Sequence, residues 1–217
     1  MTFEIVTALG LFALVSSITP GPNNLMLMAS GANFGFRRTI PHMLGVSLGF
    51  TLMVLLVGVG LVQVFNAFPV SYLVLKVVSV LYLFYLAWKI GTAAPHSGDP
   101  DSGGSPFTFV QAVLFQWVNP KAWTMALTAV TVYSPSQSVA AMAFVAGVFG
   151  AVNFPCIGVW TTLGLQLQRV LTSRLRLRAF NIAMATLLVA SLYPVLVPSS
   201  GSVQEDSCAE VSCHRQE

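Results

Sequence analysis

Thr19-Pro20-Gly21-Pro22-Asn23-Asn24 cuts through one long apolar stretch of the chain, and Asn119-Pro120-Lys121 cuts through another in the second half. Proline has no amide donor, and its ring collides with the carbonyl four residues earlier. The carbonyls of Ser16 and Ile18 in the first stretch, and of Gln116 in the second, therefore lose their helical partners. A bilayer offers no water to replace them, so an interrupted helix survives only where the freed groups face protein, a cavity or a ligand. Matching interruptions in two halves of a membrane chain are the best sequence pointer to a solute-binding site.

Composition makes lipid the relevant solvent. Of the 217 residues, 55% are hydrophobic and 8% are charged, and the mean hydropathy is +0.78. A soluble domain carries far more charge. No Asp, Glu, Lys or Arg lies between Arg38 and Lys76, or between Lys121 and Arg169. Each gap holds at least one span of about 20 residues. The net charge of +3 forms no patch suited to nucleic acid, so the expected partners are membrane lipids and a small solute. Cys156, Cys208 and Cys213 are too few and too scattered for a disulfide framework. Glu4 stands where a cleavable signal would carry Lys or Arg.

The expected fold is an all-α membrane protein with six transmembrane helices in two inverted three-helix repeats. The hydrophobic runs predict helices over 3–32 (broken at Pro20–Pro22), 40–65, 70–90, 107–133 (broken at Pro120), 138–165 and 179–196. Residues 1–91 form the first repeat, and the Gly-, Pro- and Ser-rich segment 92–106 is a linker. Residues 107–197 form the second repeat, and 198–217 read as a disordered tail. Arg37 and Arg38, Lys89, and Arg169 to Arg178 follow the first, third and fifth spans, whereas the other connections carry no Lys or Arg. The positive-inside rule then places the basic connections and the linker in the cytoplasm and both termini outside. Three spans per half is an odd number, so the halves enter the membrane in opposite senses.

Pro22 suits the first turn of a half-helix, where its missing donor costs nothing. The amides of Asn23, Asn24 and Leu25 would face the break as the positive end of that half-helix and attract a carboxylate. The freed carbonyls on the other side can take an ammonium, so a zwitterion satisfies both. Gly21 permits close approach and dihedrals barred to other residues. A plain kink, re-satisfied by neighbouring helices, is the bland alternative. Asn119, Pro120 and Lys121 form the second half of the site. Lys121 lies roughly 20 Å of helix from either end of its span, too deep to snorkel, and is placed to bind a carboxylate or to titrate.

Lys76 is open to two readings, a snorkel to the interface or a pathway residue. Asn153, followed by Pro155, is expected to break the fifth helix and either line the cavity or bond a neighbouring helix. Gly45 with Gly49, and Gly147 with Gly150, read as packing faces that permit a dimer without demanding one. Arg174, Arg176 and Arg178 read as a basic loop contacting head groups. His42, His96 and His214 are not placed as an intramembrane relay, and Cys208, Cys213 and His214 fit a polar tail better than a metal site. No cofactor is called for. Every Asp and Glu lies at Glu4, in the linker or in the tail, so no carboxylate relay exists at membrane depth. Paired acids or a nucleophile with its base are missing from the spans, which disfavours a membrane enzyme. A passive channel stays open as a rival.

In this order and spacing the motifs resemble the LysE/RhtB family of amino-acid exporters, over Phe3 to about Leu196. The matching fragments are Thr19-Pro20-Gly21-Pro22-Asn23-Asn24-Leu25 with Gly35-Phe36-Arg37, Leu75-Lys76 with Tyr82-Leu83 and Lys89, and Asn119-Pro120-Lys121-Ala122. The resemblance implies secondary-active export of amino acids or related metabolites from a bacterial cytoplasm, driven by a proton or ion gradient. Asn23 stands where many members carry Asp, Val78-Ser79 replaces a usual Gly-Ala pair, Ala87 replaces a usual Gly, and the tail matches no family pattern.

Overall fold

A computed structural model of the chain describes residues 2–61, 63, 67, 68, 70–93, 105–134, 138–191 and 193, without the side chain of residue 72. The tail from Pro198, with Cys208, Cys213 and His214, and most of the 92–106 linker, with His96, lie outside these residues. The described elements are helical throughout: α1 Phe3–Ile18, α2 Pro22–Leu56 continued by a π-helical turn Val57–Leu61, α3 Val70–Gly91, α4 Phe109–Val118, α5 Pro120–Tyr133, α6 Val139–Gln168 and α7 Arg174–Ala190. Pro22–Leu61, Leu73–Gly91 and Val139–Gln168 are long and apolar enough to cross a membrane, and Phe3–Ile18 and Phe109–Val118 are shorter apolar helices.

Both interruptions have the same local cause. A residue before proline is pushed out of the α region. Thr19 (ψ 145°), Gly21 (ψ 174°) and Asn119 (ψ 109°) each precede a proline and are extended. Pro22 and Pro120 then open the next helices at their first position.

Several boundaries differ from the sequence expectation. The chain does not leave the helix for a loop between residues 32 and 40; it turns a corner at Gly35 (φ 78°, ψ 171°), a left-handed conformation that favours glycine, and α2 is thus two helices, 22–34 and 36–56. Pro155 does not break the fifth helix, since α6 runs continuously through it and forgoes a single amide bond. Arg174, Arg176 and Arg178 belong to the start of α7, because Ser173 accepts from the Arg176 amide and caps the helix there.

Two apolar clusters fill the interior. Leu9, Phe50, Met53, Ala126, Val145 and Phe149 join α1, α2, α5 and α6. Met26, Leu83, Leu86, Phe115 and Leu188 join α2, α3, α4 and α7. Outward positions on α3 such as Leu73, Leu81 and Trp88 remain exposed, as lipid-facing side chains must.

Glycines set how closely α2 approaches its neighbours. Gly45 and Gly49 meet α4 at Phe109, Ala112 and Val113, and Gly150 meets Thr51, while Gly147 has open space where a side chain would go. Gly147 therefore packs on no other helix among the described residues. The tightest crossing pairs Gly31 with the Thr161 carbonyl and Gly164 with the Met28 carbonyl. A Cβ at Gly164 would collide with backbone, which cannot move aside without separating α2 from α6. Gly164→Val is expected to cost about 3 kcal/mol or more, read as a lower thermal midpoint of the purified protein in detergent. Gly147→Ala is expected to be neutral or slightly stabilising.

Candidate functional site

The two breaks meet. Lys121 Nζ donates to the Thr19 carbonyl at 2.8 Å, to Thr19 Oγ1 at 2.9 Å and to the Pro20 carbonyl at 3.3 Å. A lysine from the second interruption thus caps the carbonyl end of the first, where the helix dipole is negative.

Each freed carbonyl can be followed to its partner. Ser16 O accepts from Thr19 Oγ1 at 3.0 Å, Ile18 O from Trp160 Nε1 at 3.0 Å, and Gln116 O from the Asn119 amide at 3.3 Å. Asn24 Nδ2 donates to Ser17 O at 2.9 Å and to Thr19 O at 2.8 Å. Asn23 and Gln116 form a reciprocal amide pair, at 2.8 and 3.2 Å, that ties α2 to α4. Asn119 Oδ1 accepts from the Lys121 amide at 3.1 Å and so caps α5. Asn153 Nδ2 donates to Ser17 Oγ at 3.2 Å, which is the interhelical bond expected of it, and the residue also lines the cleft.

These groups enclose a cleft of about 20 Å³, room for about one water, lined by Gly21, Asn23, Asn24, Asn119, Lys121 and Asn153 together with Ser17 and Phe50. Pro20, Pro22 and Pro120 shape its backbone. Lys76 stands apart: it is exposed on α3 and does not line the cleft.

Two polar features of the cleft remain unspent among the described residues. Asn153 Oδ1 is buried without a partner. Exchanging the oxygen and nitrogen of that amide would only move the deficit to the other atom. Gly21, as N-cap of α2, brings no side chain to the amides of Asn23 and Asn24. The Leu25 amide, by contrast, is taken by Gly21 O at 3.0 Å and does not face the break. Gly21 itself is extended (φ −173°, ψ 174°), which any residue can adopt. Its role is space, because a Cβ there would lie 2.7 Å from Lys121 Cδ.

Sequence reasoning missed Gln116, Ser17 and Trp160. Gln116 carried a signal, an amide side chain in an apolar run three residues before Asn119-Pro120. Ser17 and Trp160 carried none, since their partners lie on distant helices. His42 is fully buried against the Phe107 ring at 5.1 Å, and neither ring nitrogen has a partner among the described residues.

Residues 14–191 match the family described as LysE type translocator. The chain is 30% identical over 194 residues to the cysteine/O-acetylserine efflux proteins of Escherichia coli (strain K12) and Shigella sonnei (strain Ss046), covering 87% of this chain and 96% of each relative. No solved structure matches it.

Proposed function

This chain belongs to the LysE type translocator family, and from that premise we propose that it exports small zwitterionic amino acids across the bacterial cytoplasmic membrane by gradient-driven alternating access. The observation that carries the reading is the Lys121 ammonium lying 2.8 Å from the Thr19 carbonyl, one break bonded to the other. Two interruptions kept for bending alone have no need to share a cation.

The bonding suggests how a solute is held. Lys121 sits on the Thr19 and Pro20 carbonyls, where a substrate ammonium would sit. An incoming amino acid displaces it: the substrate ammonium takes those carbonyls and Asn153 Oδ1, and its carboxylate takes Lys121 and the Asn23 and Asn24 amides. Asn23, Asn24 and Asn119 then act by fixing the break through Gln116, Ser17 and the Lys121 amide. The narrowness of the cleft means that the α2–α4 side must open to admit a solute. The Asn23–Gln116 pair, two neutral amides, is a seam that parts at modest cost.

An inverted three-plus-three arrangement accounts for the packing. Taking α1 with 22–34, 36–56 and α3 as the first half, and α4 with α5, α6 and α7 as the second, contacts come in exchanged pairs. The first half's second span packs on α4 while α1 packs on α6, and α3 packs on α7. Both termini outside follows from Arg37, Arg38 and Lys89 marking the cytoplasmic side. The efflux relatives make cysteine and O-acetylserine the first cargoes to try.

Purified protein in liposomes loaded with labelled O-acetylserine or cysteine tests the reading. Saturable efflux, with accumulation against the solute gradient when a proton gradient is imposed, is the expected result. Flux that rises linearly with concentration and stops at equilibrium would establish the channel instead. No flux of either solute would overturn the assignment.

A further inference from the structure

A second cavity, of about 120 Å³, lies further along the 22–34 helix and is lined by Met26, Ser30 and Asn33 from α2, by Lys89 and Thr92 at the end of α3, and by Phe107. It is the same order of size as the ~150 Å³ engineered cavity that holds benzene, so a small amino acid is within its range. Its position is informative. Asn23 lines the first cleft, and Met26 and Asn33, three and ten residues later, line this cavity, so about 15 Å of one half-helix walls both. The cavity lies at the Arg37–Arg38 end of that helix.

Its charged member is held weakly. Lys89 Nζ donates to Gln111 Oε1 at 3.1 Å and lies 4.6 Å from the centre of the Phe107 ring. Both partners are neutral, and an ammonium has three donors, so at least one remains for a ligand. Glu4 is the sole carboxylate side chain among the described residues, and it is at the far end of α1. Phe107 also covers His42, the buried imidazole whose two nitrogens have no partner among the described residues. Movement of that ring would enlarge the cavity toward a further polar group.

We propose that this cavity is an entry subsite on the basic side of the protein, where Lys89 receives the carboxylate of a small amino acid before it reaches the Lys121 cleft. The proposal rests on the export reading above and deepens it. A one-sided subsite makes a one-sided prediction, because Lys89 acts on solute arriving from the Arg37–Arg38 side, whereas Lys121 acts on solute from either side.

Everted and right-side-out vesicles from cells expressing the full chain separate the two faces. With labelled O-acetylserine as probe, Lys89→Gln is expected to raise the half-saturating concentration about tenfold in everted vesicles, the loss of one charge-assisted hydrogen bond. The half-saturating concentration in right-side-out vesicles stays unchanged. In everted vesicles the variant should also weaken, by about the same factor, the preference for L-cysteine over cysteamine as competitor, since cysteamine lacks the carboxylate and Lys121 still reads it. An equal rise in the half-saturating concentration on both faces with Lys89→Gln, or none on either, would overturn the subsite and leave export intact. Wild-type vesicles that carry no O-acetylserine would overturn export and the subsite together.

Discussion

Replacing Lys121 by methionine is expected to cut amino-acid efflux from proteoliposomes at least about a hundredfold while leaving the protein inserted and folded. The side chain makes three bonds to the first break, two of them to backbone carbonyls. In the proposed bound state these donors turn to the solute carboxylate; hydrogen bonds to a charged group are worth about 1.5–3 kcal/mol each, and loss of two exceeds the roughly 2.8 kcal/mol that a hundredfold represents. Folding suffers less. Thr19 O keeps its bond from Asn24 Nδ2 at 2.8 Å. The thermal midpoint of Lys121→Met should accordingly fall by no more than about 5 °C. Transport that persists near the wild-type rate would remove Lys121 from the binding site. A collapse of the midpoint would show that the lysine fastens the two breaks and does nothing more.

The separation between these two readouts depends on which features are local. Both breaks were legible because proline acts on its immediate neighbours: Thr19, Gly21 and Asn119 are extended for the reason that applies to any residue before proline. The apolar runs were legible because lipid leaves no alternative to charge-free helix, and Lys121 stood out within one of them. What the chain order concealed is pairing across it. Lys121 and Thr19 are 102 positions apart, Asn23 and Gln116 are 93 apart, and nothing in either neighbourhood names the other.

Local punctuation also misled where context overruled it. Pro155 has the same ring as Pro120, yet α6 continues through it. Pro120 follows Asn119, whose side chain caps the helix that begins there; Pro155 follows Phe154 and has no such cap to start a new helix. Pro41 is absorbed within its helix in the same way as Pro155. Gly31 and Gly164 were invisible for another reason: their contact exists only once α2 and α6 cross. His42, beside the basic corner in sequence, lies inside because the turn at Gly35 brings that face of the helix under Phe107.

Gly21→Val isolates the same site from the opposite side. The backbone at Gly21 is fully extended, a region where β-branched residues are at ease, so the substitution brings no torsional strain. What it brings is volume: a Cβ would stand 2.7 Å from Lys121 Cδ and 3.1 Å from its Nζ. The lysine must leave the Thr19 and Pro20 carbonyls. Loss of efflux comparable to that of Lys121→Met is therefore expected, again about a hundredfold, with insertion intact. The decisive measurement is the double variant. Residues that act through one contact are not additive, and Gly21→Val combined with Lys121→Met should be no worse than either alone, since the volume added at residue 21 then meets a shorter, uncharged side chain that holds no carbonyl. Independent effects would instead multiply to roughly ten-thousandfold. That outcome would mean Gly21 serves the solute directly, by letting it approach the main chain, and that the lysine and the glycine are two contacts where the bonding pattern describes one.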